Sequence, residues 1–163
     1  MANVFILLGG NVGDKSKIFN LTISHIADKI GQIAQLSSIY ATESWGFKSD
    51  LFWNQLLIVD TPYDPQQVLE RTQAIEKELG RTKKGGHYEN RTIDLDILYY
   101  DDLVLNTPNL IIPHPQIAKR KFALVPLGEL APDKIDPVIG LKIHQMLALC
   151  EDSLTVEKVN DTL

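Results

Sequence analysis

The chain has 163 residues and a single cysteine, with 44% hydrophobic and 23% charged residues, as in an ordinary globular protein. This length favours one domain, residues 1–163, and one cysteine excludes an internal disulfide bond. The net charge of −5 argues against a general nucleic-acid-binding protein, and no apolar stretch is long enough to cross a membrane, so we expect neither partner.

The N-terminal part of the chain is predicted to form a strand, a helix and a second strand. Its first residues lack the basic start and the long apolar run of a signal peptide, so the expected compartment is the cytoplasm. The apolar run Val4–Leu8 indicates a buried strand, and the glycine-rich segment 9–14 is interpreted as a structural turn. Apolar residues at helical spacing predict a helix over Asp14–Ile30, and Ile33–Tyr40 is predicted as the next strand.

The middle of the chain contains the most clearly signalled helix. Polar residues and a glycine predict a loop over Thr42–Phe52, and Gln55–Val59 is predicted as a third strand. Asp64 has the pattern of an N-cap, with a proline at the first helical position and a glutamine three residues later that completes a capping box. This helix is expected to end at Gly80.

The predicted elements of the last part of the chain complete an order of strands and helices that favours one fold class. Residues 81–91 are predicted to form a polar loop, and Thr92–Tyr100 a fourth strand with clear alternation. Further helices are expected near Arg120–Leu130 and Leu141–Cys150. The order strand, helix, strand, strand, helix, strand favours an α+β fold, a ferredoxin-like sandwich with a mostly antiparallel sheet and flanking helices.

Two aspartates on the fourth predicted strand are the strongest candidates for chemistry. Because alternate residues of a strand share a face, Asp94 and Asp96 point together to one face while their apolar neighbours face the core. Two carboxylates about 7 Å apart repel each other, and in a cleft they require a countercharge. Mg²⁺ favours such oxygen ligands and completes its shell with water and nucleotide phosphates. Taken alone, the pair is also compatible with two solvated aspartates on an exposed strand.

A basic loop precedes this strand. Its cationic side chains are those of Arg81, Lys83, Lys84 and Arg91, and it contains two adjacent glycines. Cations can neutralise phosphate oxygens, and the glycines would allow the loop to close over them. We therefore expect residues 81–91 to be mobile in the free protein and ordered when ligands bind. Without the neighbouring aspartates, the same loop would equally suit an ordinary surface segment.

Other candidate residues carry weaker signals. Glu76 flanks the apolar stripe of its helix, where a carboxylate is usually solvated, and its alternative role is to orient Arg81 or a ligand. His114 lies between two prolines, with Arg120 close behind it in sequence. The aromatic residues that could enclose a flat ligand are Trp45, Phe52, Trp53 and Phe122.

Several of these segments, in this order, resemble the 6-hydroxymethyl-7,8-dihydropterin pyrophosphokinase family over residues 4–130. The most specific motif is Arg-Thr-x-Asp-Leu-Asp-x-Leu at residues 91–98. The other motifs are Gly-Gly-Asn-x-Gly-Asp at 9–14, Ser-x-Tyr-x-Thr-x-x-x-Gly at 38–46, Asn54, Gln-x-x-Glu at 73–76 with Gly-Arg at 80–81, Pro-His-Pro at 113–115 leading to Arg-x-Phe at 120–122, and Pro-Leu-x-Glu-Leu-Ala-Pro at 126–132.

The resemblance implies an enzyme that transfers pyrophosphate from ATP to 6-hydroxymethyl-7,8-dihydropterin in folate biosynthesis and releases AMP. It implies that Asp94 and Asp96 hold two Mg²⁺ ions and, with Arg81 and Arg91, form the catalytic group. The implied pterin-binding residues are Thr42, Trp45, Gly46, Phe52, Asn54 and Phe122. The implied ATP-binding residues are Gln73, Glu76, Arg81, Lys84, Arg91, His114 and Arg120.

Two other functions are compatible with parts of the sequence. One is a non-catalytic ferredoxin-like module that binds a small molecule or RNA, but an RNA-binding module should carry an aromatic-rich Lys/Arg-Gly-Phe-type strand, which is not found. A small-molecule sensor would not need an acidic pair beside a basic loop. The other is an ordinary kinase, which would release ADP in place of AMP. The sequence leaves the oligomeric state open.

Overall fold

The structure is a computed structural model that describes residues 1–43, 51–80, 83–84, 87–88 and 93–159. In chain order its elements are β1 (Ala2–Gly10), α1 (Lys15–Lys29), β2 (Gln32–Leu36), β3 (Tyr40–Glu43), β4 (Leu51–Thr61), α2 (Pro65–Leu79), β5 (Lys83–Lys84), β6 (His87–Tyr88), β7 (Asp94–Tyr100), β8 (Leu105–Thr107), β9 (Leu110–Ile112), a 3₁₀ turn (Ile117–Lys119), α3 (Lys121–Leu130), α4 (Ile143–Leu149) and β10 (Glu157–Lys158).

The main sheet confirms the predicted ferredoxin-like sandwich. Its order is β10-β3-β4-β1-β7, β2 also pairs with β4, and every pairing is antiparallel. The central strand β1 therefore lies between β4 and β7, which places the ends of these three strands side by side.

Helices cover both faces of this sheet, which explains the unbroken apolar run of β1. Val4, Ile6 and Leu8 pack into the core cluster that includes apolar residues of α1 and α2. Phe5 and Leu7 point the other way, into a second cluster that includes apolar residues of α3 and α4. A strand buried on both faces needs apolar residues at every position, not only at alternate ones.

Both long helices begin at an aspartate cap, which the sequence predicts for α2. At α2, the Asp64 side chain accepts the N–H of Gln67 at 2.8 Å, and the Gln67 side chain accepts the N–H of Asp64 at 3.0 Å. At α1, Asp14 accepts the N–H of Lys17 at 3.2 Å. Gly13 just before it has φ of +67°, a conformation that favours glycine.

One predicted strand and one predicted loop have the wrong bounds. The predicted strand Ile33–Tyr40 is two strands, β2 and β3, because residues 37–39 belong to neither of them. In this break the Ser37 hydroxyl accepts the backbone N–H of Leu56 in β4 at 2.8 Å. The predicted loop Thr42–Phe52 is wrong at both ends, since Thr42 and Phe52 are paired across β3 and β4. The β3–β4 ladder therefore extends further than the local polarity of its sequence indicates.

The predicted turn at the start of segment 9–14 is also wrong in its first residues. β1 continues through Gly9 and Gly10, which pair with Asn54 and Trp53 of β4. Two short strands, β5 and β6, form a small ladder inside the predicted polar loop 81–91. Among the described residues, the helices are too short or too polar to traverse a bilayer.

Candidate active site on one face of the sheet

Cross-strand neighbours place an amide, a glycine and a carboxylate in one row across the sheet. Gly9 of β1 pairs with Asn54 of β4 on one side and with Asp94 of β7 on the other. Residues directly opposite each other share a face, so all three lie on the face that carries Leu7 and is covered by α3. With strands about 4.8 Å apart, the Cα atoms of Asn54 and Asp94 are about 10 Å apart.

The Asn54 side chain presents a buried acceptor on this face. Asn54 is 2% exposed, and its Nδ2 donates to the carbonyl oxygen of Leu8 at 3.1 Å. Its Oδ1 is buried and accepts no hydrogen bond from the described residues. Because a buried acceptor without a donor costs about 1–3 kcal/mol, this oxygen is suited to a ligand N–H.

Gly9 lets an aromatic ring lie close to the strand. A Cβ atom at Gly9 would lie 2.9 Å from Cε1 of Phe52 and 3.0 Å from Nδ2 of Asn54. The Phe52 ring therefore extends over β1 beside the Asn54 amide, and it remains partly exposed. Thr42, which pairs with Phe52, is buried at the same end of the ladder.

The structure separates the predicted aromatic residues. Phe122 lies in the first turn of α3 and packs against the core of the site's face, with the Arg120 guanidinium 5.6 Å from its ring centroid. Trp53 points to the opposite face, where its ring is 6.0 Å from that of Phe19 in an edge-to-face contact. Phe52 and Phe122 thus share the site's face, and Trp53 does not.

The two aspartates alternate with core residues as the sequence predicts. Asp94 and Asp96 are half-buried, whereas the intervening Leu95 is buried in the opposite core. The backbone N–H of Leu95 donates to Oε2 of Glu76 at 2.8 Å. Glu76 is 7% exposed, so it is a buried residue of the site and not a solvated one, and Gln73 lies exposed one turn earlier on α2.

His114 lies between β9 and the 3₁₀ turn and is hydrogen-bonded to β7. Its backbone N–H donates to the carbonyl oxygen of Leu98 at 3.0 Å. Burial lowers the pKa of the His114 imidazole, the negative charge of Asp96 opposes this shift, and the positive charge of Arg120 reinforces it. Together these influences favour the neutral form of the histidine.

A pocket of about 310 Å³ opens beside Asp96 and His114. Its walls are mainly apolar, and its lining comes from α2, β7 and the β8–β9 hairpin. The lining residues are Leu69, Leu95, Asp96, Ile97, Pro108, Asn109, Leu110, Ile111, His114 and Pro115. The hairpin residues carry no signal in the sequence, because their place in the pocket depends on the packing of β9 against β7.

Several predicted site residues cannot be placed. Trp45, Gly46, Arg81 and Arg91 lie outside the described residues, and Lys84 is described only through its backbone pairing with His87. Their assigned roles, and the closure of the loop 81–91, remain predictions.

The donor set fits magnesium better than zinc. Among the described residues there is no group of three or more His, Cys, Asp or Glu side chains arranged around a possible metal position. Asp94 and Asp96 offer hard carboxylate oxygens, and Mg²⁺ is commonly bound by one or two carboxylates together with substrate phosphates and water. Zn²⁺ in a structural site would need four protein ligands.

Comparison with a family model and with known sequences points to one family. The model of the family described as 7,8-dihydro-6-hydroxymethylpterin-pyrophosphokinase (HPPK) matches residues 5–132. A protein from Porphyromonas gingivalis named 2-amino-4-hydroxy-6-hydroxymethyldihydropteridine pyrophosphokinase is 40% identical over 136 residues, which cover 81% of this chain and 92% of the relative. A protein of the same name from Aquifex aeolicus is 37% identical over 139 residues, covering 85% and 86%.

The fold also matches solved structures. The Plasmodium falciparum HPPK-DHPS structure with pteroate aligns with a TM-score of 0.73 at 15% identity and covers 90% of this chain. The chain spans 42% of the length of that protein. At this identity the match supports the fold alone.

Proposed function

The chain belongs to the 7,8-dihydro-6-hydroxymethylpterin-pyrophosphokinase family, and on that premise we propose how its residues divide between two substrates. It is an ATP-dependent transferase that moves pyrophosphate to hydroxymethyldihydropterin in folate biosynthesis. The non-catalytic binding module is not favoured. In this reaction the hydroxymethyl oxygen bonds to the β-phosphorus of ATP and its proton is released to solvent, while the bond from that phosphorus to the α-phosphate oxygen breaks and AMP leaves.

The observation that carries the assignment is the row Asn54–Gly9–Asp94. It sets an acceptor for a flat heterocycle and a carboxylate for a metal–phosphate group about 10 Å apart on one sheet face, two strand spacings from each other. A pterin beside Asn54 can therefore direct its hydroxymethyl group along the sheet toward phosphates held near Asp94. Such alignment of the two reactants supplies much of the rate in phosphoryl transfer.

The pterin site is assigned to the β3–β4 end of this face. Oδ1 of Asn54 would accept an N–H of the pterin, and the rings of Phe52 and Phe122 would contact its two faces. Thr42 supports the wall that carries Phe52. Trp45 and Gly46 are assigned to the same wall on the basis of the motif alone.

The ATP site is assigned to the outer edge of the sheet at β7, where the pocket is lined by Asp96 of the site's face and by Leu95 of the opposite core. We place the base of ATP in the 310 Å³ pocket, because the pocket is largely apolar and has Asp96 and His114 in its lining. Arg120 lies close enough to His114 to lower its pKa, so it can contribute positive charge to the phosphates. Glu76 accepts the backbone N–H of Leu95, the residue between the two aspartates, and so holds this part of β7 in place. Gln73 lies one helical turn before Glu76 on α2. Arg81, Lys84 and Arg91 are assigned to the triphosphate from the motif.

Asp94 and Asp96 are the residues assigned to two Mg²⁺ ions. Bound magnesium neutralises charge on the transferred group. The chain's own contribution is to keep both carboxylates on one face, since β7 is held by β1 on one edge and by Glu76 at Leu95.

We further propose that residues 1–163 form one domain, because both core clusters share one sheet, and that the enzyme works in the cytoplasm, where ATP is abundant.

Product analysis tests the function. Purified protein, ATP, Mg²⁺ and 6-hydroxymethyl-7,8-dihydropterin should yield AMP and the pterin pyrophosphate in equal amounts. Omission of the pterin should suppress AMP formation, because water is a poor competitor in a closed site. Release of ADP would identify an ordinary kinase, and consumption of neither substrate would favour a binding module.

Replacing Gly9 with alanine should weaken pterin binding selectively. The new Cβ would approach Phe52 and Asn54 within 3.0 Å, so both side chains must shift. We expect the pterin Kd to rise about tenfold, as for the loss of one good hydrogen bond, with the ATP Kd unchanged. Gly128→Ala is the matched control, because its Cβ would meet only Leu147 at an ordinary 3.5 Å. Calorimetric titration of each ligand decides the matter, and equal changes in both affinities would contradict the placement of Gly9.

A further inference from the structure

Two of the sequence motifs, at residues 38–46 and 126–132, contact each other through residues that the substrate assignments leave unused. Glu129 of α3 accepts the backbone N–H of Ser38 with both carboxylate oxygens at 3.1 Å. The same carboxylate accepts the hydroxyl of Tyr40 at 2.6 Å. Although Glu129 is exposed, it therefore joins α3 to the start of β3 through three hydrogen bonds. We call this set of bonds the α3–β3 strut.

The helical end of the strut is linked to the proposed pterin site through Phe122. Glu129 follows Phe122 by seven residues, which is two turns of helix, so both side chains leave α3 from nearly the same side. They are separated by about 10 Å along the helix axis. A shift of the helix relative to the sheet at Glu129 would therefore move Phe122 as well.

The strand end of the strut is linked to the same site through Asn54. Tyr40 pairs directly with Asn54 across β3 and β4, which extends the row that continues through Gly9 to Asp94. Tyr40 is 9% exposed, and burial, reinforced by Glu129, raises the pKa of its phenol to about 12. The hydroxyl thus stays protonated and donates to Glu129 throughout the physiological range.

We propose that Glu129 and Tyr40 are positioning residues that set the gap between Phe122 on the helix and Phe52 with Asn54 on the strands. A pterin is a flat ring, so its affinity depends on the width of the slot that contacts both of its faces. Neither Glu129 nor Tyr40 needs to touch the ligand for this effect. The inference rests on the pterin site of the proposed function, and it adds the residues that hold the two walls of that site at a fixed distance.

The test compares affinities for the two substrates in Tyr40→Phe, Glu129→Ala and Glu129→Gln. We expect Tyr40→Phe, which removes one charge-assisted hydrogen bond of the strut, to raise the pterin Kd about tenfold. Glu129→Ala removes all three bonds and should raise the pterin Kd at least as much. Both variants should leave the ATP Kd within about twofold. Glu129→Gln keeps an acceptor and should show a smaller effect. Because the two residues form one strut, the double variant Tyr40→Phe/Glu129→Ala should have a pterin Kd no higher than that of the single variant with the larger effect.

Tyr100→Phe is the matched control. It removes a hydroxyl that donates at 2.7 Å to the backbone of Tyr63, but Tyr100 packs on the opposite face of the sheet. Asn54→Ala reports on the pterin site itself. If Asn54→Ala weakens pterin binding while Tyr40→Phe and Glu129→Ala behave like Tyr100→Phe, the positioning role of the strut is wrong and the assignment of the pterin site stands. If Asn54→Ala has no effect, the pterin site fails. Equal losses for ATP and pterin in the strut variants would show a general structural role and overturn the positioning role.

Discussion

Replacement of Asp94 or Asp96 by asparagine should reduce turnover by at least about a hundredfold, because a bound divalent cation is worth several kcal/mol of transition-state stabilisation. Asparagine preserves the size of the side chain and removes its charge. Both positions are half-buried, and β7 pairs with β1 through backbone groups that the substitution does not change, so the strand should keep this pairing. The unfolding midpoint in denaturant should therefore stay close to that of the parent enzyme.

The measurement is the rate of AMP formation across a titration of Mg²⁺. Asp102→Asn is the matched control, since Asp102 lies just beyond β7 and pairs with Lys134 at 3.3 Å on the surface. It should retain nearly full activity. A variant at Asp94 or Asp96 with close to parental turnover at low Mg²⁺ would remove these residues from the metal site.

Truncation of the pterin site should give the second largest effect. Asn54→Ala and Phe122→Ala should each weaken pterin binding by about 1–3 kcal/mol, which corresponds to about a tenfold to hundredfold rise in Kd. ATP binding should change little, because Asn54 and the aspartates lie two strands apart. Calorimetry with each ligand measures both affinities, and similar losses for the two ligands would argue against a separate pterin pocket.

Gln55→Ala provides a control on the same strand. Gln55 is buried, its Oε1 also accepts no hydrogen bond from the described residues, and its Nε2 donates to the carbonyl oxygen of Ser37 at 2.9 Å. It is adjacent to Asn54 and therefore points to the opposite face of β4. Its loss should lower the free energy of unfolding without a selective loss of pterin affinity.

Local signals in the sequence were sufficient for the elements that local interactions define. The capping box at Asp64 fixed the start of α2, and the alternation around Asp94 and Asp96 assigned both carboxylates to one face. The β3–β4 ladder was missed because its pairing depends on contacts between distant segments, which outweigh the polar character of Thr42–Phe52.

Only part of the candidate site could be predicted from the sequence. Gly9 was assigned to a turn, although continued alternation after Phe5 and Leu7 would have placed it on the site's face. Glu76 gave no signal of burial, because its hydrogen bond to the backbone N–H of Leu95 depends on the packing of α2 against β7. The contact between Glu129 and Tyr40 joins residues 89 positions apart, and a single sequence contains nothing that pairs them.

A crystal structure of the complex with Mg²⁺, a nonhydrolysable ATP analogue and 6-hydroxymethyl-7,8-dihydropterin would test the central claim most directly. We expect magnesium density at the carboxylates of Asp94 and Asp96, and the pterin between the rings of Phe52 and Phe122 with an N–H directed at Oδ1 of Asn54. The hydroxymethyl oxygen should face the β-phosphorus of the analogue. A pterin bound on the α1–α2 face of the sheet, or metal ions that contact neither aspartate, would contradict the assignment of the site.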